Sequence, residues 1–291
     1  MRVRDCSLVA ALLIGLSGCA GPPGATPRPV AAAGQRPGLV AESVLSPAER
    51  RALDRALERS LRDRPGRAAL AVYDRTTGAR YAFRERTPFM LASVAKVDIL
   101  LAFLLGKRDE RLTRYERTLV SRMIRESDND SAHELYMTIG GQDGLTRVLH
   151  RLGVRHTRPG SGLFWGLTHS RPSDQVKVLE RLTDPGGPLP AGKRRYALRL
   201  MSSVTPSQVW GVSEAAAKGE VALKNGWLPA EAHHGLWTVN SVGRLRVSGH
   251  DLLLAVLTER SPDMETGVAT VERLARVAVS TLTRSRTAVG A

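Results

Sequence analysis

Cysteine is nearly absent from this chain of 291 residues: there are two, Cys6 and Cys19, and both precede residue 20. The remainder therefore carries no disulfide, no thiolate nucleophile and no cysteine-ligated zinc. Long apolar runs are missing too. The N-terminal run from Leu8 to Leu16 is too short to span a bilayer. Acidic residues are in deficit, 28 Asp and Glu against 43 Lys and Arg, for a formal charge of +15. Such a surface favours anionic surroundings such as cell-wall polymers or phospholipid. It shows no long basic run and no aromatic–basic interleaving, so no nucleic-acid partner is expected. The paired His233 and His234 lack a carboxylate or third histidine at ligand spacing, so no metal is expected, and nor is any other cofactor.

What is present begins with "MRVRDCSLVAALLIGLSGCAG": a positive start, the short apolar run, then Leu16-Ser17-Gly18-Cys19. This reads as a secretory signal over residues 1–19. Its ending resembles the lipobox of bacterial lipoproteins, which implies a lipid on Cys19. Residues 20–44 are rich in Pro, Gly and Ala with almost no large side chains, and read as a tether. The expected localisation is the extracytoplasmic face of the cell membrane, through the lipid anchor. Residues 45–291 are left to form the folded domain.

Within that domain, "LSPAERRALDRALERSLRDRPG" has a serine cap, a proline in the first turn and helical apolar spacing. "RAALAVYDRTTGARYAFRE" is a hairpin around "RTTG". A long helical block follows, with an insertion at about 88–210 that includes a helix read over "THSRPSDQVKVLERLTD". Then come three β-runs, "EVALKNGW", "GLWTVNSVGRL" and "HDLLLAVLTE", and a final helix from Met264. Strands from both ends of the chain must meet in one sheet. The expectation is an α+β fold: a five-stranded antiparallel sheet flanked by the terminal helices, with an inserted all-helical subdomain and a cleft where they join.

"FMLASVAKVDILLAF" is an apolar helical stretch that carries Ser93 and Lys96 three residues apart, on one helix face. Burying a lysine costs free energy, but it lowers the pKa and frees a lone pair. Lys96 is then a candidate base for a Ser93 nucleophile; the alternative is a snorkelling surface lysine. Ser127-Asp128-Asn129 and Lys224-Asn225-Gly226 follow in order. S-x-x-K, S-D-N and a K-T-G-like triplet in this order resemble the serine β-lactamases and penicillin-binding proteins. "MIRESDNDSAHELYMTIGGQDGLTRVLHRLG" and "VALKNGW" resemble class A β-lactamases in particular.

The resemblance implies an acyl-enzyme serine hydrolase of β-lactam or D-Ala-D-Ala-like amides, or of esters, including peptidoglycan-derived ones. Ser93, Lys96, Ser127 and Lys224 would be catalytic. Asn129, Asn225, Gly226 and Trp227 would contact substrate, with the Ser93 and Trp227 backbone N–H groups as oxyanion donors. Asp128 would bond nearby backbone.

Two departures stand out. Asn225 replaces the usual hydroxyl residue that meets a substrate carboxylate, although an amide can still donate. The loop "VRHTRPGSGLFWGL", between Gly153 and Thr168, holds neither Glu nor Asp. Class A enzymes carry their deacylating glutamate there. Asp174, His156 and His169 are the nearby candidates to replace it, and Phe164, Trp165 and Trp210 are candidates to line or cover the cleft. Acylation with slow β-lactam turnover is expected. A D,D-carboxypeptidase, which needs no such glutamate, and a sensing lipoprotein that binds without turnover are the alternatives. Oligomeric state is not legible.

Overall fold

The computed structural model describes residues 45–287, which belong to one compact unit; the leader, the tether and Cys19 lie outside the described residues. Helix α1 (Pro47–Leu61) starts where the sequence predicts. The Ser46 hydroxyl accepts from the Glu49 N–H, the Glu49 carboxylate accepts from the Ser46 N–H, and Pro47 opens the first turn. Strands β1 (Arg67–Asp74) and β2 (Arg80–Phe83) form the expected hairpin. Buried Asp74 holds its turn by accepting from the Thr76 N–H at 3.0 Å and the Thr77 hydroxyl at 2.6 Å.

The other long strands come late: β5 (Glu220–Pro229), β6 (Trp237–Val247) and β7 (His250–Ser261). The antiparallel sheet runs β2-β1-β7-β6-β5, so β5 is an edge. Strand β7 is apolar on both faces. Its Leu253, Ala255 and Leu257 join the core beneath the helical block, while Leu252, Leu254 and Val256 pack with α1 and with α8 (Met264–Thr287). The sheet is thus the middle layer, as expected.

The block between β2 and β5 contains α2 (Ala95–Gly106), α3 (Arg114–Ser121), α4 (Asn129–Thr138), α5 (Gly141–Arg151), α6 (Pro172–Thr183) and α7 (Ala191–Met201). Apart from Lys96 and Asp98, helix α2 is apolar all round, and it is buried from Ala95 through Leu104, so it is the axis of this block. One short ladder escaped the sequence pattern. Strand β3 (Phe89–Met90) pairs with β4 (His169–Ser170), which corrects the expectation of a helix from Thr168. Pro172 holds Arg171 in an extended conformation, and α6 starts only after it. No described helix is long and apolar enough to cross a membrane.

Candidate active site

Ser93 lies on a 3-10 turn, Ala92–Val94, that leads into α2. It is half-buried between buried neighbours. The approach to it is tied from several sides. Asn240 donates to the Met90 and Leu91 carbonyls at 2.8 and 3.1 Å, and buried Glu259 accepts from the Met90 N–H at 2.8 Å. The Leu91 N–H donates to Thr168 at 2.7 Å. Ala92, just before the serine, sits at φ +50°, a strained value for alanine.

Edge strand β5 runs directly against this turn. A Cβ on Gly226 would fall 2.6 Å from the Val94 nitrogen and 2.7 Å from both the Leu91 oxygen and the Ser93 nitrogen. Glycine is required there by close approach. Trp227, next along β5, lines the same cleft as the serine, and the resemblance assigns its N–H as the second oxyanion donor.

Helix α4 supplies the next groups. A five-residue π-helical turn, Arg122–Glu126, precedes Ser127, which adopts the left-handed conformation at φ +61°. Asp128 caps α4 by accepting from the Ser131 N–H at 2.8 Å, and it pairs with Arg122 at 3.0 Å. This is the structural part expected of it.

Lys96 is fully buried. Its Nζ lies 3.0 Å from Ser93 Oγ, 3.1 Å from Ser127 Oγ and 2.7 Å from Asn129 Oδ1, and it also reaches the Ser127 carbonyl. Burial pulls its pKa down to about 7, against a smaller upward pull from Asp128. A neutral amine can donate to the Ser127 carbonyl and Asn129 while accepting the Ser93 proton. The snorkelling alternative is ruled out by this burial.

Lys224 is buried as well. Its Nζ donates to Ser127 Oγ at 3.0 Å and to the Asn225 carbonyl at 2.8 Å. Burial, then the neighbouring Lys96 charge, hold its pKa well below the ordinary lysine value. One hydroxyl, Ser127, thus bridges two amines.

Asn225 departs from the expectation. It is fully buried, and its amide nitrogen donates to the Gln208 and Trp210 carbonyls at 2.8 and 3.1 Å. Both of its N–H groups are spent on the loop before β5, so none is left to meet a substrate. The loop backbone supplies acceptors that no spacing in the sequence could reveal.

The cleft in front of Ser93 has a volume of about 400 Å³. It is lined by Leu163, Phe164, Trp165 and Leu167 from the short loop, by Trp227 and Leu228 from β5, and by Asn129, Asp130 and His133 from α4. Trp165 also places its ring centroid 4.8 Å from Lys96 Nζ. Trp210 is not among these lining residues but packs edge-on against Trp227, with centroids 5.6 Å apart. A larger cavity of about 530 Å³ lies near the end of α2, lined in part by Phe103, Ile139 and Leu152, and contains none of Ser93, Ser127 or the lysines beside them. Asp130 and His133 were missed in the sequence. Their signal was there, since His133 follows Asn129 by four residues on α4.

None of the three candidate replacement bases lines the cleft. Asp174 is buried and accepts from the His156 N–H at 2.6 Å and the Thr157 hydroxyl at 3.1 Å, which anchors the short loop. The half-exposed His156 ring sits 3.6 Å from the same carboxyl group, and His169 Nδ1 lies 2.9 Å from the Leu167 carbonyl. His233 faces Glu259 at 3.3 Å, and no group of three potential metal ligands occurs among the described residues.

Comparison with solved structures shows the same fold. A class A beta-lactamase from Bacteroides cellulosilyticus DSM 14838 superposes with a TM-score of 0.69 at 17% identity, covering 81% of this chain and 99% of that one. PBP-A gives 0.69 at 19% identity, over 84% and 98% of the two chains. The TLA-1 extended-spectrum beta-lactamase gives 0.70 at 16%, over 81% and 99%. By sequence, a Mycobacterium tuberculosis (strain ATCC 25618 / H37Rv) protein named as a lipoprotein, LppW, is 29% identical over 170 residues, as is its Mycobacterium bovis counterpart. The match spans 55% of this chain and about half, 54%, of those relatives. The family described as "Beta-lactamase enzyme family" matches residues 113–282. That segment contains Ser127, Asn129 and Lys224 and begins after Ser93 and Lys96, whose place in the site is given by the geometry. With more than half its length matched, the chain belongs to the beta-lactamase enzyme family.

Proposed function

We propose that this protein is an acyl-transfer serine hydrolase that becomes acylated at Ser93 by β-lactam or D-Ala-D-Ala-like amides, or by esters, and turns β-lactams over slowly. The observation that carries this reading is the 3.0 Å approach of a fully buried Lys96 amine to the Ser93 hydroxyl, with the lysine pKa near 7. Ser93 Oγ attacks the carbonyl carbon while Lys96 takes its proton. The Ser93 and Trp227 backbone N–H groups hold the oxyanion. The C–N or C–O bond then breaks, and the leaving group takes a proton through Ser127, which Lys96 and Lys224 both contact. Water must release the acyl group. No glutamate lines the cleft to activate it, and loss of a general base costs on the order of 10²–10⁴-fold.

The same missing glutamate favours a second reading, a sensor of β-lactams or cell-wall fragments that acylates once and does not turn over. A D,D-carboxypeptidase lies between the two. The lipobox-like Leu16-Ser17-Gly18-Cys19 and the name of the mycobacterial relatives support export and anchoring through Cys19.

Intact-protein mass, followed after mixing with benzylpenicillin or a fluorophosphonate, tests the proposal. A lasting adduct that is absent from Ser93→Ala is expected. A penicillin adduct that decays within seconds would overturn slow turnover. No adduct with either reagent would overturn Ser93 as nucleophile.

A further inference from the structure

The chain carries 43 lysines and arginines, yet none of them is among the residues lining the Ser93 cleft. The one formally charged side chain on its walls is a carboxylate, Asp130. The two groups that the resemblance assigns to a substrate carboxylate are withdrawn. Asn225 is buried with both N–H groups spent, and Lys224 is buried against Ser127 and the Asn225 carbonyl. An anionic substrate meets one like charge on these walls, while the nearest amines, Lys96 and Lys224, lie buried behind Ser93 and Ser127.

The wall from the short loop is apolar in an unusual way. Leu163, Phe164 and Leu167 are 51%, 66% and 42% exposed, and they account for three of the seven exposed large hydrophobics among the described residues. Clustered exposure of this kind beside a nucleophile marks a binding surface. The wall is also held in place. Thr168 donates its hydroxyl to the Trp165 carbonyl at 2.6 Å, and Tyr136 donates to Gly160 at 3.2 Å. A Cβ on Gly160 would meet the Phe164 oxygen at 2.0 Å, so the loop closes tightly on itself there. The apolar side chains therefore stand on a preformed rim.

We propose that, among the acyl donors of the proposed function, the Ser93 cleft favours an uncharged ester whose acyl group is long or bulky and apolar over carboxylate-bearing ones. The acyl chain lies along Leu163, Phe164 and Leu167, with its carbonyl carbon at Ser93 Oγ. This rests on Ser93 being the nucleophile. Acylation joins Ser93 Oγ to that carbon and releases the alcohol with a proton; water then returns the free acid and the hydroxyl.

The test uses the full chain and the acylation bursts of p-nitrophenyl acetate, butyrate and octanoate. A buried methylene contributes about fourfold, so the acylation constant is expected to rise about tenfold or more from acetate to octanoate. The hexanoate should exceed the mono-p-nitrophenyl adipate, which ends in a carboxylate, by on the order of tenfold. In the double variant Leu163→Ser, Phe164→Ser, both of whose side chains are exposed, the octanoate-to-acetate ratio should fall towards one. Leu228→Arg should narrow the preference for hexanoate over adipate. A flat chain-length series, a preference for the adipate, or a ratio unmoved by the double variant would overturn the inference. If an uncharged fluorophosphonate still labels Ser93 in that case, the acylating function stands alone. Absence of both label and burst overturns the two together.

Discussion

On one side of Ser93, Lys96, Ser127, Asn129 and Lys224 are joined by hydrogen bonds of 2.7 to 3.1 Å, and the two lysines are buried away from water. On the other, the loop of residues 154–167 offers solvent a row of apolar side chains and no carboxylate. On the proposed reading, the first wall performs chemistry through groups whose protonation is set by burial, and the second sorts substrates through shape and apolarity. The polar residues that the resemblance points to are present, while the loop expected to carry a water-activating glutamate holds none and is apolar. If both proposals hold, catalytic competence and substrate range are separable in this protein.

The sharpest way to break that comparison is Lys96→Ala. It should lower the acylation rate by about 10²–10⁴-fold for every acyl donor alike, because it removes the base and leaves the apolar wall intact. In the unaltered protein, acylation needs Lys96 as the free amine. The rate should then climb as pH rises and level off above about 7, as read from burst kinetics between pH 5.5 and 9. A rate independent of pH across that range would remove Lys96 from the role.

Gly226→Ala comes next. Its methyl group would press on the Leu91, Ser93 and Val94 backbone at 2.6–2.7 Å. Displacing the serine by a fraction of an ångström should cost about 10²-fold in acylation by esters of any chain length. A crystal structure of the variant would show the shifted turn.

Asp98 connects the two walls. It is fully buried on α2, two residues after Lys96, and meets Gln175 Nε2 at 3.3–3.4 Å. Gln175 also reaches Ser170, which bonds Thr157, which bonds Asp174 under the short loop. Burial raises the Asp98 pKa from 3.8 to about 8. Between those values the folded chain keeps a proton that the unfolded chain has lost, so stability falls as pH rises from about 4 to 8. Asp98→Asn should therefore have a Tm several degrees above the wild type at pH 8, with the two converging near pH 4. Equal differences at both pH values would exclude an ionisable Asp98 as the cause.

The smallest effect sharpens the comparison. Phe164→Ser alone should leave Tm within about 2 °C, since surface changes stay within about half a kcal/mol. It should still lower the octanoate rate severalfold.

The sheet and the polar wall were legible because local signals carry them. Ser46 and Pro47 announce α1, and "RTTG" announces the first hairpin. Ser93, Lys96, Ser127, Asn129 and Lys224 stand at spacings that secondary structure turns into proximity. The reading failed where partners are distant or are backbone. Asn225 turned inward because Gln208 and Trp210 offer carbonyls. His169 and Ser170 became a strand because Phe89 and Met90 lie beside them. The apolar wall could be read as a loop that lacks acids, but its exposure follows from tertiary anchors such as Tyr136 and Thr168.

Ala92 leaves one further consequence. Alanine at φ +50° costs on the order of 1–2 kcal/mol, a loss that glycine would avoid. Glycine would also give the turn beneath the serine several alternative paths. Among descendants of this sequence, selection for heat tolerance alone should drive position 92 towards glycine, whereas selection for a working serine should resist it. The residue found at 92 in any relative with this turn then becomes a record of whether its lineage still depends on the nucleophile that follows.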